Sequence, residues 1–370
     1  MASPLANPLD PAALAKHHGV SLKAAEILLS SDVVDLHIDT FIPPRLPLVR
    51  YDVTRHHTSG FLGGRFFGHL DIPRILESGL SGAMWSITTN PFRRATRRWV
   101  VFQKNFARFQ QMVAATQGRL ALASTAAEYR AARLTGAHVV LPAIQGGNAL
   151  ELAPNGLAAV RELPGGVSAS GHHTIARVTL VHLTNTSYGI TSSPFKLWKG
   201  KRGLTDLGRA FITDLNRHKV FVDLAHINAA GFWDAVAVHD KTQPLVATHT
   251  GVSGVKPHWR NLDDAQVKAI AETGGVIGVI YSQNFLARRG GPRDAGMVVE
   301  HMEHVMKVGG EDAVAIGTDY DGAIIPPKDL RSGNSYVRLV QKLIDRGHSD
   351  DVIRKLLGGN FLRAFEKLRP

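Results

Sequence analysis

Cysteine is absent from all 370 residues, which removes disulfides and thiolate metal ligands at once. Absent too is any apolar run of the ~18 residues that a membrane helix needs, so no span is expected. The opening segment, MASPLANPLDPAALAKHHGV, lacks the basic start and apolar stretch of a secretory signal, and cytoplasm is the expected location. No Pro/Gly/Ser-rich linker, low-complexity tract or short repeat interrupts the chain. A single unit over residues 1–370, with its core at about 30–365, is therefore expected.

Positive charge is in surplus, at a formal +12. The basic clusters RRATRR (93–98) and KLWKGKR (196–202) are nevertheless short, separated and outside any recognisable nucleic-acid-binding motif. They read as solvated surface, and neither nucleic acid nor a membrane is expected as a partner. Hydrophobic residues at 44% against charged residues at 20% give the balance of a globular protein with a sizeable core.

Compact runs rich in Val and Ile recur along the chain: VVDLHI (33–38), GAMWSI (82–87), HVVLPAI (138–144), RVTLVHL (177–183), KVFVDLA (219–225), PLVATH (244–249), GVIGVIY (275–281) and AVAIGTD (313–319). Between several of them lie amphipathic stretches such as DLGRAFITDLNRH (206–218) and NLDDAQVKAIAETG (261–274). Short buried strands alternating with helices predict a parallel sheet. Eight such runs predict an α/β fold of the (β/α)8 TIM type, with the first thirty or so residues as a helical lead-in.

Polar residues mark the ends of these runs. In DLHIDT, strand alternation would put His37 and Asp39 on one face and Leu36 and Ile38 on the other. Gln145 follows the third run, His182 ends the fourth, His226 follows the fifth, His249 ends the sixth and Asp319 ends the eighth. In a barrel these ends converge on one mouth. A lone buried histidine is more often a hydrogen-bonded core residue than a ligand. So many polar groups at the same end of successive strands imply instead a metal-dependent hydrolase. His301 and His304, at helical spacing on a stretch outside the barrel, read as surface; His56 and His57, in the glycine-rich segment 54–68, read as solvated loop residues.

Several segments, in order, resemble the membrane (renal) dipeptidases, zinc dipeptidases of the amidohydrolase superfamily. They are DLHIDT, HLDIPRILESGLSGAMWS (69–86), VTLVHLTN (178–185), GLTDLGRAFITDLNRHKVFVDLAHIN (203–228), THTGVSGVKPHWRN (248–261), IGTDYDG (316–322) and GGNFLRAFE (358–366). The resemblance implies two zinc ions, one on His37 and Asp39 and one on His226 and His249. It implies that His182 polarises the scissile carbonyl of a bound substrate, that Arg260 holds the substrate carboxylate, and that Asp319 shuttles a proton. It implies a dipeptide, or another small molecule with a free carboxylate, as substrate, and a homodimer as the assembly to test.

One position departs from the family pattern. Where the resemblance implies a glutamate bridging both metals, this chain has Gln145, in IQGG. An amide offers one neutral oxygen where a carboxylate offers an anionic oxygen to each metal. Glu151, six residues on, is not expected to substitute. Three outcomes stay open: two metals held weakly, one metal, or an impaired barrel that only binds a small ligand. The bond cleaved is expected to be a small amide, that of a dipeptide. An ester, lactone or N-acyl amino acid cleaved with one metal is the alternative.

Overall fold

The computed structural model describes residues 9–46, 51–57, 64–90, 92–194 and 203–370. The lead-in is two short helices. Asp10 caps α1 (Pro11–His18) through the amides of Ala12 and Ala13, with Pro11 in the first turn and Gly19 in the left-handed region after it. Ser21 caps α2 (Leu22–Leu29) in the same way.

Nine parallel strands follow: β1 (Val34–Ile38), β2 (Gly82–Thr88), β3 (Leu120–Leu122), β4 (His138–Gln145), β5 (Arg177–Thr179), β6 (Phe221–Asp223), β7 (Val246–Thr250), β8 (Val276–Val279) and β9 (Val314–Ile316). Pairing of β2 with β4, from Gly82↔Val139 to Thr88↔Gln145, and of β1 with β9 closes eight of them into a barrel. These eight are the predicted runs. The ninth, β3, was not predicted; it pairs with the first part of β4 only. Helix α3 (Ile72–Glu77) precedes β2, and the long helix α4 (Ala95–Ala115) follows it.

Val34, Leu36, Met84, Val139, Leu141, Phe221, Val246, Val276 and Ala315 form one apolar cluster. Residues from strands all round the sheet can meet only in the barrel interior. Phe361 and Phe365 of the last helix complete this plug, while the Arg369 guanidinium binds the carbonyls of Ser124, His173, Ile175 and Lys219. Ile38 belongs to the outer cluster instead, with Trp85 and Phe109. Simple alternation of Leu36 with His37 fails because the β1 register shifts between Asp35 and Ile38. A second shift lies in β7, between Ala247 and Thr250. Such irregularities re-aim side chains, and each contains one site histidine, His37 or His249.

Candidate active site

Two buried aspartates inside the apolar runs set the local geometry. Asp35 accepts from the amides of His37 (3.1 Å) and Thr318 (2.9 Å) and from the hydroxyls of Thr318 (2.6 Å) and Tyr336 (2.7 Å). Asp223 repeats the device, accepting from the amides of Ala225 and Thr248 (3.0 Å each) and from the hydroxyls of Thr179 (2.6 Å) and Thr248 (2.7 Å). Each carboxylate thus grips the threonine that precedes a site residue on the adjacent strand: Thr318 before Asp319, Thr248 before His249. The backbone of β7 can come this close because Gly278 and Gly317 flank the Thr248 carbonyl, where any Cβ would collide. Burial pushes the Asp35 carboxyl up despite its bonds. At Asp223 burial opposes the charge too, but the Arg177 guanidinium and the two hydroxyls outweigh it and hold the carboxyl below its usual value.

Above these supports lies a cavity of about 730 Å³ with Asp39, Gln145, His182, His226 and Asp319 at its floor. His37 and His249 sit just behind, stacked at 3.9 Å. His226 Nε2 is 2.8 Å from His249 Nε2, and the His182 ring meets His226 edge-on at 4.7 Å. Donor atoms of His37, His249 and Asp319 all lie within 4.8 Å of one another. His226 and Asp319 have φ of 67° and 62°, a left-handed conformation uncommon outside glycine. The predicted residues therefore converge, apart from Arg260. That side chain is buried beside a separate cavity of about 60 Å³ that shares His226 as a wall. One Arg260 nitrogen donates to the His249 carbonyl at 2.5 Å, the guanidinium's sole hydrogen-bond partner among the described residues.

Burial dominates the ionisation of the site. It pushes the Asp319 carboxyl well above the usual carboxylate range, Asp39 adds to the effect, and Arg260 opposes it. It lowers His182 to about 4 and drops His37, His226 and His249 as well. All four imidazoles are neutral near pH 7, the state in which imidazole ligates a metal.

The residues fit a metal unevenly. Thr248 Oγ1 donates to Asp223, so it accepts from His249 Nδ1 at 2.9 Å. This leaves the His249 Nε2 lone pair facing the site, the usual support for a metal-bound histidine. His226 aims its own Nε2 at the same point, and its buried Nδ1 has no partner among the described residues. His37 differs. Its Nδ1 faces the Arg177 guanidinium at 2.6 Å, and arginine can only donate. The ring proton is then on Nε2, which points towards Asp39 and Asp319 at 3.6 and 3.5 Å. Gln145 completes the network. With its amide assigned so that the nitrogen faces the Asp39 carboxylate, Nε2 donates to Asp39 at 3.1 and 3.2 Å, and Oε1 accepts from His182 Nε2 at 3.2 Å and His37 Nε2 at 3.3 Å. The reverse orientation would oppose a carbonyl oxygen to a carboxylate.

Several readings are corrected. His301 is buried, accepting from the Val252 amide at Nδ1, and is not a surface residue. His304 is half-buried and pairs with Asp264 at 2.7 Å. Arg93, in the first basic cluster, lines the cavity mouth with Arg45, Lys104 and Arg108. The second cluster, 196–202, lies outside the described residues, as does 58–63 of the glycine-rich segment. Phe67 from the end of that segment lines the cavity, whereas His56 and His57 do not. Glu151 pairs with Arg98 at 2.5 Å and the Ser187 amide at 2.6 Å, away from Gln145. Asp35, Arg177, Asp223 and Thr248 were not singled out as functional. For Asp35, Arg177 and Asp223 the one sequence signal is a charge inside an apolar run, VVD, ARV and FVD; Thr248 carries none.

A profile of the membrane dipeptidases, peptidase family M19, matches residues 22–369. The chain belongs to this family. Its backbone is similar to that of a family M19 metallopeptidase, dipeptidase AC, at TM-score 0.76 and 27% identity over 91% of this chain and 98% of that one. A metallopeptidase from Rhodobacter sphaeroides, solved with a phosphinate mimic of the dipeptide L-Ala-D-Ala, is as similar: TM-score 0.76 and 27% identity over 91% and 99%. An uncharacterized protein in the pqqA 5′ region of Klebsiella pneumoniae is 38% identical over 170 residues, 45% of this chain and 61% of that relative. The match therefore spans under two thirds of that relative's length. Within the family fold, the position expected to carry a bridging carboxylate carries the Gln145 amide.

Proposed function

We propose that this chain hydrolyses the amide bond of dipeptides with a free carboxylate, using zinc and water. The observation that carries the reading is the convergence of Asp319, His182 and His226 on one cavity floor, with His249 Nε2 just behind at 2.8 Å from His226 Nε2. His226 and His249 would hold the metal, whose Lewis acidity makes water nucleophilic near neutral pH.

The chain's own groups do the rest. His182 Nε2–H, now donating to Gln145 Oε1, is placed to donate to the substrate carbonyl oxygen as charge grows on it. As water oxygen bonds to the carbonyl carbon, the Asp319 carboxylate takes a proton from that water. It then delivers the proton to the amide nitrogen, so that the C–N bond breaks to release an amine. Arg260, which lies behind the shared His226 wall and whose guanidinium donates only to the His249 carbonyl among the described residues, would take the substrate carboxylate at the His226 side of the floor. Likeness to the Rhodobacter enzyme, whose ligand is a phosphinate dipeptide mimic, supports the same bond as the target.

A second reading has a specific support. Ile42, Leu46, Phe67, Val101, Leu183, Phe285 and Ile324 give the cavity apolar walls, which suit an N-acyl amino acid. Release of amino acids from a dipeptide panel, set against N-acyl amino acids, esters and lactones, decides between them. Dipeptide hydrolysis abolished by chelation and restored by zinc is expected. Turnover confined to the other substrates favours the second reading, and metal-independent turnover removes both.

A further inference from the structure

Arg177 has no role in the hydrolysis just described, yet it lies at the centre of the barrel, fully buried. Its Nη1 donates to Thr179 Oγ1 and pairs with Asp223 at 3.2 Å, and its Nη2 donates to His37 Nδ1 at 2.6 Å. A guanidinium that served only to tie β5 to β6 would need Asp223 and Thr179. It would not need a histidine of β1 across the barrel.

We infer that Arg177 and Gln145 together close the metal position at His37 and Asp39, so that the chain binds one divalent ion, on the His226–His249 side. Two features of geometry support this. The first is hydrogen-bond direction. With a donor-only group at Nδ1, neutral His37 carries its proton on Nε2 and has no lone pair for a metal. The histidine becomes a donor to Gln145 and the neighbouring carboxylates. Metal-bound histidines show the reverse, giving their second N–H to an acceptor, as His249 does towards Thr248.

The second feature is that each partner is locked. Arg177 cannot swing aside without leaving Asp223 a buried, uncompensated carboxylate. Gln145 has its oxygen occupied by two N–H groups and its NH2 on Asp39, so neither end bridges two metals. The guanidinium also places a fixed positive charge beside the position a second dication would take. The two residues act on the same side of the site, one on each flank of His37.

The inference rests on the metal-hydrolase reading for the first ion. It is nevertheless separable from the substrate, because stoichiometry is measured without turnover. Chelator-stripped protein is titrated with zinc, and bound metal per chain is counted by elemental analysis after desalting; cobalt titration supplies an absorption spectrum. One equivalent is expected in the wild type, still one in His37→Ala, and none in His249→Ala. Two wild-type equivalents, or loss of the metal in His37→Ala, overturn the inference while leaving the hydrolase reading intact. No bound metal at all overturns both. The double variant Arg177→Gln/Gln145→Glu is expected to gain a second equivalent. If it folds, as judged by circular dichroism, and stays at one, these residues are not what closes the position. If it does not fold, the wild-type and His37→Ala counts decide.

Discussion

At the cavity floor, Asp39, Gln145 and Asp319 are buried and His182 is half-buried; Gln145 and His37 link them to one another, and His37 links them to Asp35 and Arg177 behind. At the rim, Arg93, Lys104 and Arg108 stand exposed, with no ion-pair partner among the described residues. The two regions are only a cavity's depth apart and use charge in opposite ways. Below, low polarity makes each charge strong and each missing partner costly. Above, water and salt screen the same charges, and they can act on approach and selection but contribute little to the chemistry.

If that contrast holds, the largest effect belongs to the floor. Asp319→Asn removes the proton carrier but keeps the side-chain shape. A fall in kcat of about 10²- to 10⁴-fold is expected, with zinc content unchanged. Steady-state kinetics and elemental analysis check this; near-normal turnover would end the proton-shuttle assignment. One layer deeper, Thr248→Val deletes the hydroxyl that links His249 Nδ1 to Asp223. Zinc affinity should weaken about 10- to 100-fold, as for other supports of metal-bound histidines, and competition with a chromophoric chelator measures it. Affinity unchanged in that variant would mean that His249 is not held by this chain of bonds.

The matching support on the other side of the floor predicts a change of a different kind. Tyr336→Phe removes one of the four hydrogen bonds to Asp35, a carboxyl buried inside the barrel wall. Loss of a bond to such a group should lower stability by about 1–3 kcal/mol, read by urea denaturation, with kcat changed far less than in Asp319→Asn. A large loss of kcat with unchanged stability would place Asp35 in the chemistry and break the division between support and reacting groups.

The same contrast explains what the sequence could and could not say. The eight barrel strands and the floor residues were legible because both follow one rule: short apolar runs, each ending in a polar residue, at one end of a parallel barrel. Strand β3 escaped because three residues, of which only Leu120 is buried, carry no strand pattern. Arg177 escaped for a different reason. Its partner His37 is 140 residues away, and no local pattern shows that β5 will deliver a guanidinium to the back of a histidine on β1. His301 was misplaced because helical spacing alone does not tell which face packs; its ring bridges the Val252 amide and the Leu286 carbonyl. The rim was read as plain surface for a related reason. Arg93 precedes α4, while Lys104 and Arg108 lie one turn apart on it, and only the fold shows that they flank the cavity.

The rim supplies the smallest and most conditional prediction. Helix α4 contains no acidic residue, so nothing on it offsets Lys104 and Arg108 where they meet the cavity. A substrate with a second negative charge, such as a dipeptide with an acidic N-terminal side chain, should gain from them during approach. In the double variant Lys104→Glu/Arg108→Glu, kcat/KM for that dipeptide should fall a few-fold relative to a neutral one. The difference should shrink as salt shortens the Debye length from about 10 Å at 0.1 M to about 3 Å at 1 M. An equal loss for both substrates, insensitive to salt, would mean that these side chains shape the cavity wall and do not select by charge. The rim would then belong with the floor as part of a single rigid site.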